Sequence, residues 1–254
     1  MSRRQVLLAI GGMSLISAPV PLLPGPAAAE ATSVHRGQVH RGQARHGATP
    51  RPPGPEPYPL DRPLYYIDNA DKAIALTIDD GPNPVYTPQV LDVLAEYRVT
   101  ATFSMIGVHV AAYPYLARAV ADAGHRIANH TWDHADIAGM PARRLHDELT
   151  RASDAIHAAT GVHAGLFRAP YGAWSPAVIR LCEQMRMVPV DWSVDPRDWA
   201  RPGVRRIVSD IMDKTQPGSI ILEHDGGGNR SQTVAALRIV LPRLLHEGYH
   251  FQAI

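Results

Sequence analysis

Cysteine is all but absent: the 254-residue chain has one, Cys182. No intrachain disulfide and no multi-cysteine zinc site can be built from it. Cys182 shares a helical face with Val178, Leu181 and Met185. That is the setting of a small buried hydrophobe, whereas a reactive thiol wants partial exposure and a low pKa. A basic surplus is missing as well. Lys and Arg total 25 against 24 Asp and Glu, a formal charge of +1. From residue 64 onward there are eighteen basic and twenty-one acidic residues. This is the wrong sign for a phosphate-backbone binder, and it argues against nucleic acid as a partner. Long apolar runs are lacking too: Pro19 and Pro21 break the one near the start. What remains is shorter than the roughly 18–20 residues of a membrane-spanning helix. With 45% apolar and 19% charged residues, the composition is that of a globular chain.

What is present falls into three stretches. Arg3 and Arg4 precede an uncharged apolar run to about Leu23, and Ala27-Ala28-Ala29 offers a small-residue cleavage point before Glu30. Residues 1–29 therefore read as an export signal, with a retained signal anchor as the alternative. Ser2-Arg3-Arg4-Gln5-Val6-Leu7 is similar to a twin-arginine signal, with Val6 where Phe is common and Leu8 where Lys is common. The expected location is outside the cytoplasm, extracellular or associated with the cell envelope, without a stable membrane span after cleavage. Residues 30–63 read as a disordered linker rich in Pro, His and Arg. Val34-His-Arg-Gly-Gln38 repeats as Val39-His-Arg-Gly-Gln43, and seven prolines follow between Pro50 and Pro63. Such composition buries too little apolar surface to offset the entropy of ordering. Its histidines read as part of a solvated tether rather than as a metal site.

From residue 64 to 254 apolar strands alternate with amphipathic helices, the pattern of one α/β domain. Strands are expected at Ala73–Asp79, Thr100–Met105, Arg126–Asn129, Gly165–Arg168, Met187–Asp191, Ser219–Glu223 and Tyr249–Ala253. Thr87-Pro88 is expected to cap one helix, and another should run from Pro141 towards Thr160 and stop at Gly161. Seven strands alternating with helices predict a parallel sheet, open or closed. Reactive residues in such folds collect where strands end and helices begin.

The strand ends are rich in chemistry. The first delivers Asp79-Asp80-Gly81-Pro82, two carboxylates that need a cation or proton partner as they leave a buried strand. The third delivers His130-Thr131-Trp132-Asp133-His134, two imidazoles at i and i+4 that would meet on one helical face. Two imidazoles and a carboxylate with open positions is the donor set of a catalytic zinc site or of a similar divalent ion. The fourth ends in Arg168-Ala169-Pro170-Tyr171-Gly172, where Arg168 can hold a carboxylate in bidentate fashion. The sixth ends in Leu222-Glu223-His224, and alternation puts Leu222 and His224 on one face with Glu223 on the other. Asp195-Pro196-Arg197-Asp198-Trp199 adds two acids and an aromatic wall.

In order along the chain, Thr77-Ile78-Asp79-Asp80-Gly81-Pro82, His130-Thr-Trp-Asp-His134, Arg168-Ala-Pro-Tyr171, Asp195-Pro-Arg-Asp198-Trp199 and Leu222-Glu-His224 resemble the five motifs of the polysaccharide deacetylases, the NodB-homology domain of carbohydrate esterase family four. The resemblance covers about residues 70–254. Ile78 stands where Phe is usual, Ala135 where Pro is common, and Glu223 where an apolar residue is frequent, a departure that either alters a rim contact or obliges Glu223 to find a partner. The resemblance implies a distorted (β/α) barrel of about seven parallel strands. It implies a divalent metal, zinc by default with cobalt or nickel also suited, on Asp80, His130 and His134. Asp79 would be the general base, Arg168 its orienting partner and His224 the general acid. Asp195 and Asp198 would tune His224 or Arg168, with their shares left open. The backbone N–H of Tyr171 would meet the oxyanion, and Leu222 and Trp199 would line a slot for the acetyl methyl. Trp132, Trp174 and Tyr171 are candidates to stack on sugar rings. The implied substrate is an N-acetylated cell-wall or chitin-like polymer. An O-acetyl ester of the xylan type, a small cyclic amide, or a binding protein without catalysis are the alternatives.

Overall fold

The structure, a computed structural model, describes residues 60–68 and 70–254. The expected export signal at 1–29 and the linker up to residue 59 lie outside the described residues. Among the described residues no helix is long and apolar enough to cross a membrane.

The run Ala-Ile-Ala-Leu-Thr-Ile-Asp forms β1 (Ala73–Asp79), buried at every position. A near-continuous apolar run is what a strand covered on both faces requires. The chain then alternates as expected: α1 (Tyr86–Tyr97), β2 (Thr102–Met105), α2 (Gly107–Ala112), α3 (Pro114–Asp122), β3 (Arg126–Asn129), α4 (Ala142–Thr160), β4 (Leu166–Phe167), α5 (Pro176–Met185), β5 (Val188–Pro189), α6 (Val204–Lys214), β6 (Ile220–His224), α7 (Ser231–His246) and β7 (His250–Phe251). The sheet order is β5-β4-β3-β2-β1-β6, and β7 pairs with the first two residues of β1. All these pairings are parallel.

The expected barrel is present as a curled sheet, a half-barrel with an irregular seam. β4 and β5 have two residues each and cannot complete the curl by themselves. Extended chain without regular structure lies along the gap between β5 and β6. Leu64 donates its N–H to the carbonyl of Pro189 (2.9 Å) and accepts from the N–H of Asp191 (2.8 Å), while Ile67 donates to Gly218 (2.9 Å). Val194 forms a parallel bridge with Ile221 of β6.

Alternation along β1 sorts the interior. Ile74, Leu76 and Ile78 pack in a cluster with Val90 and Leu94 of α1 and Leu237 and Leu241 of α7. Ala75 on the opposite face belongs to a second cluster with Leu166, Val190 and Ile220, inside the curl. The next residues on that face, Thr77 and Asp79, are buried and polar. One end of the curl is thus filled with aliphatic side chains and the other, where the strands finish, with polar ones. Cys182 is buried in α5 beside Val178 and Leu181, and burial pushes its thiol up to about 12, which makes it inert.

Two helix boundaries are instructive. α4 stops at Gly161, in the left-handed region at φ 75°, as the sequence predicts. Thr87, expected as the cap of α1, lies one residue inside it. Its hydroxyl instead accepts from the N–H of Asn83 (2.7 Å) and donates to buried Asp225, while Asn83 Oδ1 caps the N–H groups of Val85 and Tyr86. Asparagine competes well for orphan N–H groups at a helix start, so Thr87 is released for a tertiary contact.

Candidate metal centre and active site

β3 ends at Asn129, and the next five residues make a turn that is not helical. Thr131 and His134 are left-handed, at φ 65° and 64°. Asn129 Oδ1 accepts from the N–H of Thr131 (2.9 Å), and the Thr131 hydroxyl oxygen accepts from the N–H of His134 (3.0 Å). Glu148 reaches over from α4 and accepts from the N–H groups of Trp132 (3.0 Å) and Asp133 (3.3 Å). The expectation of a helical i, i+4 pair is therefore corrected: side-chain caps fold the loop, and that loop brings His130 and His134 together, with ring centroids 4.9 Å apart.

Both imidazoles meet Asp80, which leaves β1 at a φ of 73°. Asp80 Oδ1 is 3.3 Å from His134 Nε2 and 3.6 Å from His130 Nε2. This is the one set of three ligand-type side chains found close together among the described residues. It fits a divalent cation on three counts. Asp80 Oδ1 is buried and has no hydrogen-bond partner, a costly state that a cation relieves. His130 Nδ1 is 2.8 Å from the carbonyl of Arg168, so that nitrogen carries the proton and Nε2 offers its lone pair. Burial and the neighbouring His130 lower the pKa of His134, against the pull of Asp80 and Asp79, which favours the neutral ligand form. Asp80 itself is held below the carboxylate range. Burial opposes this, but the imidazoles gathered round it, His130 first and then His224 and His134, outweigh it.

Asp79 sits one residue earlier, with Oδ2 3.8 Å from His130 Nε2. Arg168 approaches its other oxygen, Oδ1, at 2.9 Å and is itself wholly buried. The contact is single rather than bidentate. The same Arg168 nitrogen donates to the Thr77 hydroxyl (2.7 Å), and the remaining donors face the backbone carbonyls of Asp191 (2.8 Å) and Val190 (3.4 Å). The guanidinium is thereby fixed on all sides, with one arm for Asp79.

His224 lies across the site at the end of β6. Its Nδ1 is 2.7 Å from Asp198 Oδ1, and Asp198 Oδ2 accepts from the His224 backbone N–H (3.0 Å) and the Thr233 hydroxyl (2.7 Å). Burial works against charge on His224. The hydrogen bond and charge of Asp198, with Asp80 and Asp79 behind, overcome it and raise the imidazole to about 9. The question left open between Asp195 and Asp198 resolves geometrically: Asp198 holds His224. Neither acid is what orients Arg168, since backbone carbonyls do that. Asp195 instead accepts from the N–H of Arg197 (2.7 Å) and lines the cavity.

Asp79, Asp80, His130, His134 and His224 line one cavity of about 400 Å³, walled by Tyr171, Trp192, Trp199, Leu222, Ala169 and Asp195. Leu222 and His224 share this face, as alternation requires. Tyr171 is 71% exposed, so its ring forms rim rather than core. Its edge meets His134 at 4.6 Å. Of the aromatics considered for sugar stacking, Trp132 lies under Arg151 and Trp174 donates to Asp191 Oδ2 (2.7 Å), and neither lines the cavity. Trp192, not singled out in the sequence, does. It follows Asp191 at the end of an expected strand, so the strand-end rule applied there would have flagged both residues.

The chain is similar to characterised proteins along most of this region. A family model described as polysaccharide deacetylase matches residues 67–190. A chitooligosaccharide deacetylase of Bradyrhizobium sp. is 43% identical over 195 residues, 72% of this chain and 89% of that one. A peptidoglycan-N-acetylglucosamine deacetylase of Bacillus cereus is 42% identical over 192 residues, 75% of this chain and 90% of that one. Among solved structures, a peptidoglycan N-acetylglucosamine deacetylase crystallised with 4-naphthalen-1-yl-N-oxidanyl-benzamide superposes with a TM-score of 0.73 at 28% identity, covering 75% of this chain and 89% of that chain. A curled parallel sheet with a His, His, Asp cluster at its mouth, and relatives of this identity matched over most of their length, agree: the chain belongs to the polysaccharide deacetylase family.

Proposed function

We propose that this chain is a metal-dependent deacetylase that hydrolyses N-acetyl groups on a chitin-like or cell-wall polysaccharide, with zinc as its metal, and that it works outside the cytoplasm. The observation that carries the reading is the juxtaposition, in one cavity, of a triad suited to a cation with a second carboxylate, Asp79, on one side and a histidine–aspartate pair on the other. Asp80, His130 and His134 would hold a divalent cation, which when bound would supply Lewis acidity for activating a water near neutral pH and polarising an acyl oxygen.

The chain's own residues account for the proton movements. Asp79, with Oδ1 fixed by Arg168, presents Oδ2 beside the triad and takes the proton of the attacking water as general base. The negative charge that develops on the acyl oxygen faces the Tyr171 turn, whose left-handed φ of 59° sets the direction of its backbone N–H. His224 carries a proton through neutral pH because Asp198 stabilises the imidazolium. It delivers that proton to the departing nitrogen as the carbon–nitrogen bond breaks. Acetate and a free amine result. Leu222 and Trp199 wall the slot for the methyl group, and Tyr171 and Trp192 supply flat rims for sugar rings.

The His224–Asp198 pair favours an amide over an ester, because an amine leaves poorly without a proton whereas an alkoxide needs less help. The test is acetate release from a panel of N-acetylated and O-acetylated glycans, by the native protein and by His224→Ala. N-acetyl substrates should be cleaved and should lose turnover in the variant. Preferential cleavage of acetylated xylan, undiminished in His224→Ala, would replace this reading with an esterase. Export is tested separately. Secreted protein should begin at or near Glu30, and replacing Arg3 and Arg4 by Lys should block secretion if the twin-arginine route is used. Undiminished secretion of that variant assigns the general secretory route.

A further inference from the structure

β6 ends in Leu222-Glu223-His224, and the residue between the two cavity-facing side chains has a solvation problem. Glu223 has no exposed surface, and among the described residues no N–H or O–H reaches either carboxyl oxygen. A carboxylate ion in that state is among the costliest groups a protein can bury. The charged groups that act on it come from three places. Asp198 lies in the short turn Asp198–Ala200 that packs on the end of β6, Asp195 in the segment before it, and Arg230 just ahead of α7. Arg230 offers no direct rescue. Its Nε donates to the carbonyl of Gly226 (2.6 Å) and one terminal nitrogen to that of Trp199 (3.3 Å), so it acts on Glu223 only through space. Asp195 is turned towards the N–H of Arg197.

Asp198 remains. Two carboxyl groups that meet in a dry site keep one proton between them, because both cannot ionise at close range. The surroundings decide which one holds it. Asp198 has three donors in place, His224 Nδ1, the His224 backbone N–H and the Thr233 hydroxyl, and stays ionised. Glu223 has none. Burial and then the Asp198 charge push Glu223 well above its ordinary value, so the proton of the pair belongs on Glu223.

We propose that Glu223 is a neutral positioning residue whose carboxyl O–H donates to Asp198, completing a Glu223–Asp198–His224 chain behind the cavity. The inference rests on His224 being the general acid. By drawing charge from Asp198, the donated hydrogen bond leaves the imidazolium a stronger acid than a bare aspartate would, and it pins Asp198 from the helix side of the sheet. His224 is also faced by Asp79 and Asp80 across the cavity, and by His134 and Asp225 at longer range.

Glu223→Gln keeps a donor towards Asp198, whereas Glu223→Leu removes it at similar volume. The His224 ring titration, followed by NMR in metal-free protein, should be unchanged in Glu223→Gln. In Glu223→Leu it should move up by about 0.5–1 pH unit, the size of one ordinary hydrogen bond felt through Asp198. Infrared difference spectra of native protein against Glu223→Gln should show a protonated carboxyl at neutral pH. That band is read from the native fold and does not depend on how well the Leu variant folds. Absence of the band, or an unmoved His224 titration in a folded Glu223→Leu, overturns the proposal. The acid role is judged by other means: if His224→Ala spares amide cleavage while the band is present, the reading of His224 fails and the carboxyl pair stands.

Discussion

Asp79 and Asp80 are identical side chains one step apart, and the structure gives them different company. Asp80 leaves the strand in a left-handed conformation and turns towards both imidazoles, while Asp79 stays on the strand face that carries Thr77 and receives Arg168. Asp79→Asn keeps size and an oxygen but cannot take a proton. It should bind metal normally and lose about 10²–10⁴-fold in turnover. Asp80→Asn should instead weaken metal binding, with partial rescue by excess metal. Metal content and acetate release across a metal titration separate the two, and loss of metal from Asp79→Asn alone would exchange the roles. His224 gives a second prediction at this scale. With its folded pKa raised to about 9, its protonated form contributes stability that is fully present below the unfolded value of about 6.5 and is lost as pH rises through 9. An NMR titration of metal-free protein should therefore find the ring charged at pH 7, and a cation added beside Asp80 should lower its pKa. A ring neutral at pH 7 in the metal-free protein would remove the general acid from the scheme.

At the scale of elements, β1 and β3 have the bounds the sequence predicts: β1 is buried throughout, and β3 starts at exposed Arg126 and is buried over its last three residues. β4 and β5 shrink to two residues each. Their flanks are extended but pair with irregular chain around the seam, a tertiary matter that hydrophobic alternation does not encode. The same limit explains the errors near the site. Spacing of four suggested a helical turn for His130 and His134, whereas Asn129, Thr131 and Glu148 cap the loop into its shape. Side-chain reasoning paired Arg168 with acids, whereas two of its donors meet backbone carbonyls, which have no letter in the sequence. The loop after β6 is a further case. Gly226 and Gly227 pass so close to Asp80 that a Cβ at Gly226 would overlap the Asp80 backbone, and one at Gly227, where φ is 69°, would press on its carboxylate. These glycines let the loop close on Asp80 and hold it in place. Gly226→Ala should therefore cost about 10–100-fold in metal affinity, the usual effect of disturbing a ligand's support. Competition with a chelating dye measures it, and unchanged affinity in a folded variant would show that the loop yields instead of Asp80.

On the scale of the molecule, the curl is filled with apolar side chains at one end and left open at the other, where β1, β3 and β6 finish. The triad joins β1 to the turn after β3, two strands separated in the sheet by β2 and in sequence by some fifty residues. A cation held there closes a long loop of chain and relieves the unpartnered oxygen of Asp80. It would bind only when both strands are in register, so its binding free energy would become folding free energy. At free zinc a hundred times above the dissociation constant, linkage gives about 2.7 kcal/mol. For a domain of this size that is a rise of about 5–10 °C in the melting temperature. A chelator should reverse it. His224→Ala, which leaves the triad intact, should keep the full increment, and His130→Ala combined with His134→Ala should abolish it. The double variant melting with the same zinc-dependent rise would place the stabilising cation elsewhere and detach the triad from the stability of the fold.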